Sequence, residues 1–178
     1  MKAVKKYGMM VILIGCIVFC IYHFCVIPVK IQGISMENTL HDQDIALIHS
    51  YDLKREDLRR FDVVVIDSEA MNEKIIKRVI GLPHETVQLK DDILYINGES
   101  VEQPFLNKKF VLQKLDEHKT KHYTSDFQIT LEDDEYFVLG DSRLDSTDSR
   151  HFGPVRFEEI KGSRGMIIFP FAHMNVIE

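Results

Sequence analysis

The sequence predicts a mainly β protein: an N-terminal transmembrane helix followed by an antiparallel β-sheet domain with long loops. Three observations carry this. One long apolar run, Met9 to Ile27, stands alone in a chain of 178 residues. Beyond it, short segments rich in Val, Ile and Phe recur between turn residues, as in strands. Helical periodicity is scarce in the same region.

The apolar run is interrupted only by Gly15, Tyr22 and His23. A helix over 9–27 measures roughly 28 Å, close to the ~30 Å hydrocarbon core. Lys2, Lys5 and Lys6 precede it and Lys30 follows. The positive-inside rule therefore puts residues 1–8 in the cytoplasm and residues 28–178 on the outer side of the cell membrane, with Pro28 ending a single-pass helix. Two other patterns compete. A cleaved secretory signal is disfavoured by the length of the run and the lack of a small-x-small site after it. Leu13-Ile14-Gly15-Cys16 resembles a lipoprotein processing site, but the apolar run continues for about eleven residues past Cys16, where a mature lipoprotein turns polar.

Strands are expected at Ile45–His49, Asp62–Asp67, Ile75–Ile80, Thr86–Leu89, Ile93–Ile96, Phe127–Leu131, Tyr136–Leu139 and Ser163–Phe169. Asn97-Gly98, between Ile93–Ile96 and Glu99-Ser100-Val101, is a two-residue hairpin signal. Short turns are expected at Asp52–Leu58 and Arg156–Ile160. The charged stretch 105–121 reads as an exposed surface insertion between core strands.

The formal charge is −6. Four of the 22 basic residues and none of the 28 acidic ones lie in residues 1–30, leaving 18 against 28, or −10, for the rest. This acidic domain is no general nucleic-acid binder. Cys16, Cys20 and Cys25 all lie in the apolar run, so the outer domain has no internal disulfide, and without nearby His or acid ligands they read as packing residues. No cofactor or metal is expected. Of the eight histidines, His23 lies in the span, and His41, His49, His118, His122 and His173 sit in polar or terminal surroundings. Only His84 and His151 fall within recognisable motifs.

Three stretches carry the chemistry: Gly33-Ile34-Ser35-Met36-Glu37-Asn38-Thr39-Leu40, Ile75-Ile76-Lys77-Arg78-Val79-Ile80-Gly81-Leu82-Pro83, and Gly140 to Gly153. Ser35 is either a loop serine or a nucleophile, and serine becomes one only when a base removes its proton. A Ser-His-Asp triad remains open, although no G-x-S-x-G elbow surrounds Ser35. Lys77 is the other candidate base. Strand alternation puts Ile75, Lys77 and Val79 on one face. On a solvated face Lys77 is an ordinary ammonium; on a buried face desolvation lowers its pKa and yields a neutral amine.

In this order behind an apolar span, the three stretches resemble the bacterial type I signal peptidases, whose motifs read roughly S-M-x-P-T-L, K-R-V-I-G-L-P-G-D and G-D-N-R-x-N-S-x-D-S-R-x-x-G. The resemblance runs to about Gly165. It implies a membrane-bound serine endopeptidase that removes signal peptides from exported preproteins after a small residue at −1. Ser35 matches the nucleophile and Lys77 the general base. Ser146 matches a serine whose hydroxyl bonds that lysine, and Asp148 and Arg150 match a pair bracing the loop. Gly33 stands where some members supply a second oxyanion donor. Ile31, Leu40, Ile75 and Ile76 match the shallow apolar substrate pockets. Since Ser35 follows Pro28 by seven residues, it lies within about 25 Å of the helix end, beside the lipid bilayer that also holds the substrate. Oligomeric state is not readable.

Several positions depart from the pattern: Asn38 for proline, His84-Glu85 for Gly-Asp, Ser142 and Asp145 for asparagines, and Phe61 for glycine. If Asn38 has merely lost a φ restraint, Asn38→Pro restores some rate. The rivals are a catalytically silent membrane-anchored paralogue that binds export substrates or partners without cleaving, and a Ser/Lys protease of the self-cleaving repressor type. The second normally has a DNA-binding or partner segment in place of a membrane span.

Overall fold

The computed structural model describes residues 7–16 and 26–177. Residues 7–16 form helix α1. Among the described residues no helix is long and apolar enough to cross a membrane, and residues 17–25 of the expected 9–27 span lie outside the described set. One boundary is corrected. Val26, Ile27 and Pro28 do not end a helix but open strand β1 (Val26–Lys30), which pairs antiparallel with β2 (Ile45–His49) from Val26↔His49 to Lys30↔Ile45. The β-branched residues Val26, Ile27 and Val29 favour a pleated surface, and Pro28 is tolerated because β1 is an edge strand.

The other strands are β3 (Val63–Ser68), β4 (Glu73–Gly81), β5 (Thr86–Lys90), β6 (Ile93–Ile96), β7 (Glu99–Val101), β8 (Phe127–Thr130), β9 (Glu135–Leu139), β10 (Val155–Arg156), β11 (Ile160–Phe169) and β12 (Val176–Ile177). They build an eight-stranded sheet, β1-β2-β11-β3-β4-β9-β10 with β12 on β11, and a four-stranded sheet, β7-β6-β5-β8. The mainly antiparallel β reading holds.

Strand β3 lies in the middle of the large sheet. Val63 and Val65 pack with Ile31, Met36, Leu40, Ala46 and Ile48, while Val64 and Ile66 pack with Ile75, Val79, Tyr136 and Val138 on the opposite face. A strand covered on both faces is an uninterrupted apolar run rather than an alternating one. Each such side chain contributes about 1.5–3 kcal/mol by leaving water. Strand β4 links the sheets: Glu73–Arg78 pairs with β3, Arg78–Gly81 with β9 across a register shift between Val79 and Gly81, and Ile80 packs with Val87, Leu89 and Leu94 of the smaller sheet and with Phe137 of β9.

The hairpin forms where Asn97-Gly98 predicts it, with φ +52° and +86°, both positive as a two-residue type I′ loop requires. Phe61 and His84, each at a place where the resembled motif has glycine, adopt φ +76° and +68°. For bulky L-residues that conformation costs about 1–2 kcal/mol each. Phe61 recovers contact with the Phe105 ring, centroids 5.1 Å apart.

Most of the expected insertion is helix α2 (Lys108–His118), started by Asn107, whose side chain accepts from Lys109 N, and stopped by Lys119 at φ +51°. It is largely exposed, but Lys114 is buried.

Candidate active site

The stretch holding Ser35 is fixed at both flanks. Ile31 N donates to Asp44 O at 2.8 Å and Gln43 N to Ile31 O at 2.9 Å, and Gly33 N donates to the Asp42 carboxylate. Met36 and Leu40 close one helical turn, Leu40 N to Met36 O at 2.9 Å, and both are buried. Ser35 is left half-buried at the head of that turn, with Lys77 Nζ 2.9 Å from its Oγ.

Lys77 is buried on β4, at 4% exposure, between Ile75 and Val79. Burial depresses its pKa; the negative charges of Asp148, Glu73 and Asp141 oppose this without cancelling it. The buried alternative for this strand face is the one the structure adopts.

The third stretch reaches Ser35 through its backbone. Ser142 N donates to Ser35 O at 3.0 Å. Gly140 leaves no space for a side chain, since a Cβ there would lie 2.6 Å from Ser35 O and 2.2 Å from Ser146 Oγ. Ser146 is buried beside this contact, and its Oγ has no hydrogen-bond partner. The bond to Lys77 implied by the resemblance is therefore not made in this conformation.

Asp148 and Arg150 are joined to each other and to the loop backbone. Arg150 Nε donates to Asp148 Oδ1 at 2.7 Å and to the carbonyls of Arg143 and Ser146 from its second nitrogen. Gly140 N donates to Asp148 Oδ2. Burial by itself raises the Asp148 pKa, but the Arg150 contacts hold it below the usual carboxylate range. Arg143 is fully buried, which pushes its pKa down to about 10; its Nε donates to Gly140 O at 3.0 Å.

A tie between all three stretches was not anticipated from sequence. Arg78 donates to both oxygens of Asp141 at 2.9 and 2.8 Å, and Thr39 Oγ1 donates to the same carboxylate. Arg78 and Asp141 are buried, and Arg78 also lies 4.2 Å from the centre of the Phe105 ring. The available signal was an arginine inside an apolar strand, a position rarely occupied unless the charge is paired. A second tie comes from α2: Lys114 Nζ reaches Asp145 at 2.9 Å and Glu37 at 3.2 Å. These contacts hold its pKa up against the opposing effect of burial.

Asn38 is at φ +117°. Its side chain donates to Phe105 O and accepts from Asn107 N. Proline, fixed near −65°, cannot adopt this backbone. The expectation that Asn38→Pro restores rate is thus overturned: asparagine here is a splint to the segment before α2.

Beside Ser35 and Lys77 runs a groove of about 690 Å³, lined by these two residues and by Ile31, Gly33, Ile75 and Ile76 among others. Leu40, expected in the pocket wall, is instead fully buried in the core with Ile31 and Met36. Its place on the inner side of the helical turn gives it no path to the groove. Two strand edges border the groove. Strand β1 pairs only with β2, and Glu73–Lys77 only with β3, among the described residues.

The family model for signal peptidase, peptidase S26, matches residues 4–169. Signal peptidase I T of Bacillus subtilis (strain 168) is 36% identical over 172 residues, covering 96% of this chain and 88% of the relative. A signal peptidase I of Bacillus amyloliquefaciens is 37% identical over 172 residues, covering 96% and 90%. Among solved structures, a signal peptidase I of Enterococcus faecalis V583 shares 38% identity with a TM-score of 0.51, covering 60% of this chain and 95% of that one.

Proposed function

The chain belongs to the signal peptidase family, peptidase S26, and we propose that it works as a membrane-anchored serine endopeptidase with Ser35 as nucleophile and Lys77 as general base. The observation that carries this reading is the 2.9 Å approach of a buried lysine amine to a half-exposed serine hydroxyl in a groove lined in part by Ile31, Ile75 and Ile76. Neutral Lys77 takes the Ser35 proton as Oγ attacks the scissile carbonyl carbon. The resulting ammonium then protonates the departing amine as the peptide bond breaks. Water, deprotonated by the same amine, releases the acyl group and regenerates Ser35. The Ser35 N–H supports the oxyanion. Gly33, with no hydroxyl, leaves the second donor to backbone or water. Ser146, Asp148 and Arg150 hold the third loop against the dyad.

The substrate is the signal peptide of an exported preprotein. An extended segment has two free strand edges to pair with, β1 and Glu73–Lys77, a recurrent mode of peptide recognition. Ile31, Ile75 and Ile76 then make shallow pockets for small side chains. The purified full chain, in detergent or lipid, is expected to cut a preprotein after a small residue at −1, with the sites read by mass spectrometry. A bulky residue at −1 is expected to block cutting. No product above a Ser35→Ala background, across several signal peptides, makes the silent binding paralogue the better reading.

The anchor completes the proposal, with residues 1–8 cytoplasmic, 9–25 as the membrane-crossing part, and the peptidase domain outside. The basic N-terminus and the apolar run motivate it. Protease added to intact, wall-stripped cells is expected to remove the domain and leave a short anchored fragment; full protection reverses the topology.

A further inference from the structure

Away from the groove, three side chains from distant parts of the chain converge. His41 and Asp44 lie on the turn between the Ser35 stretch and β2, and His173 ends the short 3-10 turn Phe171–His173 that precedes β12. His173 Nδ1 is 2.8 Å from Asp44 Oδ1, and His41 Nδ1 is 3.6 Å from Asp44 Oδ2. The centroids of the two imidazole rings lie 4.5 Å apart. One donor atom from each of the three residues falls within 4.8 Å of the other two. The Asp44 side chain is 1% exposed, whereas those of His41 and His173 are 51% and 39% exposed. A buried carboxylate thus forms the floor, and two imidazoles form a mouth open to water.

Hydrogen bonding within the protein does not exhaust this floor. Asp44 Oδ2 accepts from His41 N at 2.9 Å and Oδ1 faces His173, while a carboxylate offers about four lone-pair sites. Around tetrahedral zinc, with bonds of about 2.0–2.2 Å, neighbouring donors stand roughly 3.3 Å apart. Each histidine faces a different oxygen of Asp44, at 2.8 Å from Oδ1 and 3.6 Å from Oδ2, either side of that spacing, and one donor atom per residue stays within 4.8 Å of the others. Two imidazoles and one carboxylate are also a donor set zinc takes readily, with the fourth position left to water.

We propose that His41, Asp44 and His173 form a zinc site. His173 then binds through Nδ1 and keeps its proton on Nε2, so the metal replaces its hydrogen bond to Asp44. The ion joins residues 129 positions apart in the chain. It pins the C-terminal turn, otherwise held by the two-residue strand β12 on β11, to the loop directly behind the Ser35 stretch. None of the three residues lines the substrate groove, so this site is independent of the dyad.

The test uses the full chain in detergent, free of any affinity tag and stripped with chelator, titrated calorimetrically with zinc chloride. One zinc per chain is expected, with affinity lowered at least about tenfold in His41→Ala and in His173→Ala, the scale set by the loss of even an outer-shell partner. Cobalt(II) in place of zinc is expected to give tetrahedral d–d absorption that both variants lose. Both histidines are partly exposed, so the variants are not expected to unfold, which circular dichroism checks. No binding of zinc, or binding that either variant leaves unchanged, overturns the proposal. Neither readout depends on peptidase activity.

Discussion

Lys77→Arg is expected to be as inactive as Ser35→Ala, at least about 10⁴-fold below the unaltered chain. Both side chains are cations of similar reach, but guanidinium stays protonated at any working pH and so cannot take the serine proton. The unaltered enzyme supplies the complementary result. Burial depresses the Lys77 pKa, so the neutral fraction grows, and cleavage rises, as pH climbs through the folded value. The stability sign runs the same way. The folded state resists the ammonium, so its penalty is full below the folded pKa and fades as pH rises toward the unfolded value near 10.4. Initial rates of preprotein cleavage against pH measure the first effect. More than about one-hundredth of normal activity in Lys77→Arg, or a rate that stays flat well below pH 6, removes lysine from the role of base.

Asp141→Asn is expected to cost about 3–5 kcal/mol, because it leaves the buried Arg78 guanidinium facing a neutral amide. For a chain of this size each kcal/mol moves the melting temperature by about 2–4 °C, giving a fall of roughly 10 °C. Replacing an exposed pair such as Arg55 with Asp134 offers the contrast, at about 0–1 kcal/mol. Thermal unfolding of both variants in the same detergent decides the matter. A fall of less than about 2 °C for Asp141→Asn shows that Arg78 finds other compensation.

The elements that sequence located well are those whose signal is local. Strands β2 and β6 fall at their expected bounds, and the Asn97-Gly98 hairpin follows from two residues that tolerate positive φ. Ser35 and Lys77 were singled out through motif order, and the fold brings them 2.9 Å apart. Three things were not legible, each for a physical reason. β1 was hidden because β-branched residues next to an apolar run fit a helix end and an edge strand equally well. α2 was hidden because its inward position is Lys114, whose burial depends on carboxylates from two other loops. The His41–Asp44–His173 cluster was hidden because His173 is 129 residues from its partner, and each histidine by itself looks like ordinary polar surface.

The Thr39–Asp141–Arg78 tie bears on when the protein becomes active during folding. Its members are 39 and 63 residues apart in the chain, so two long loops must close before the tie is complete. Each doubling of loop length adds about 0.6 kcal/mol of closure entropy, and contacts at such separations form late. Because Ser142 N also holds the Ser35 carbonyl, Ser35, the nucleophile of the proposed mechanism, acquires this geometry only when the third stretch docks. Catalytic competence is thus a property of the finished domain, and a chain halted before residue 141 carries the serine and the lysine without the clasp that aligns them.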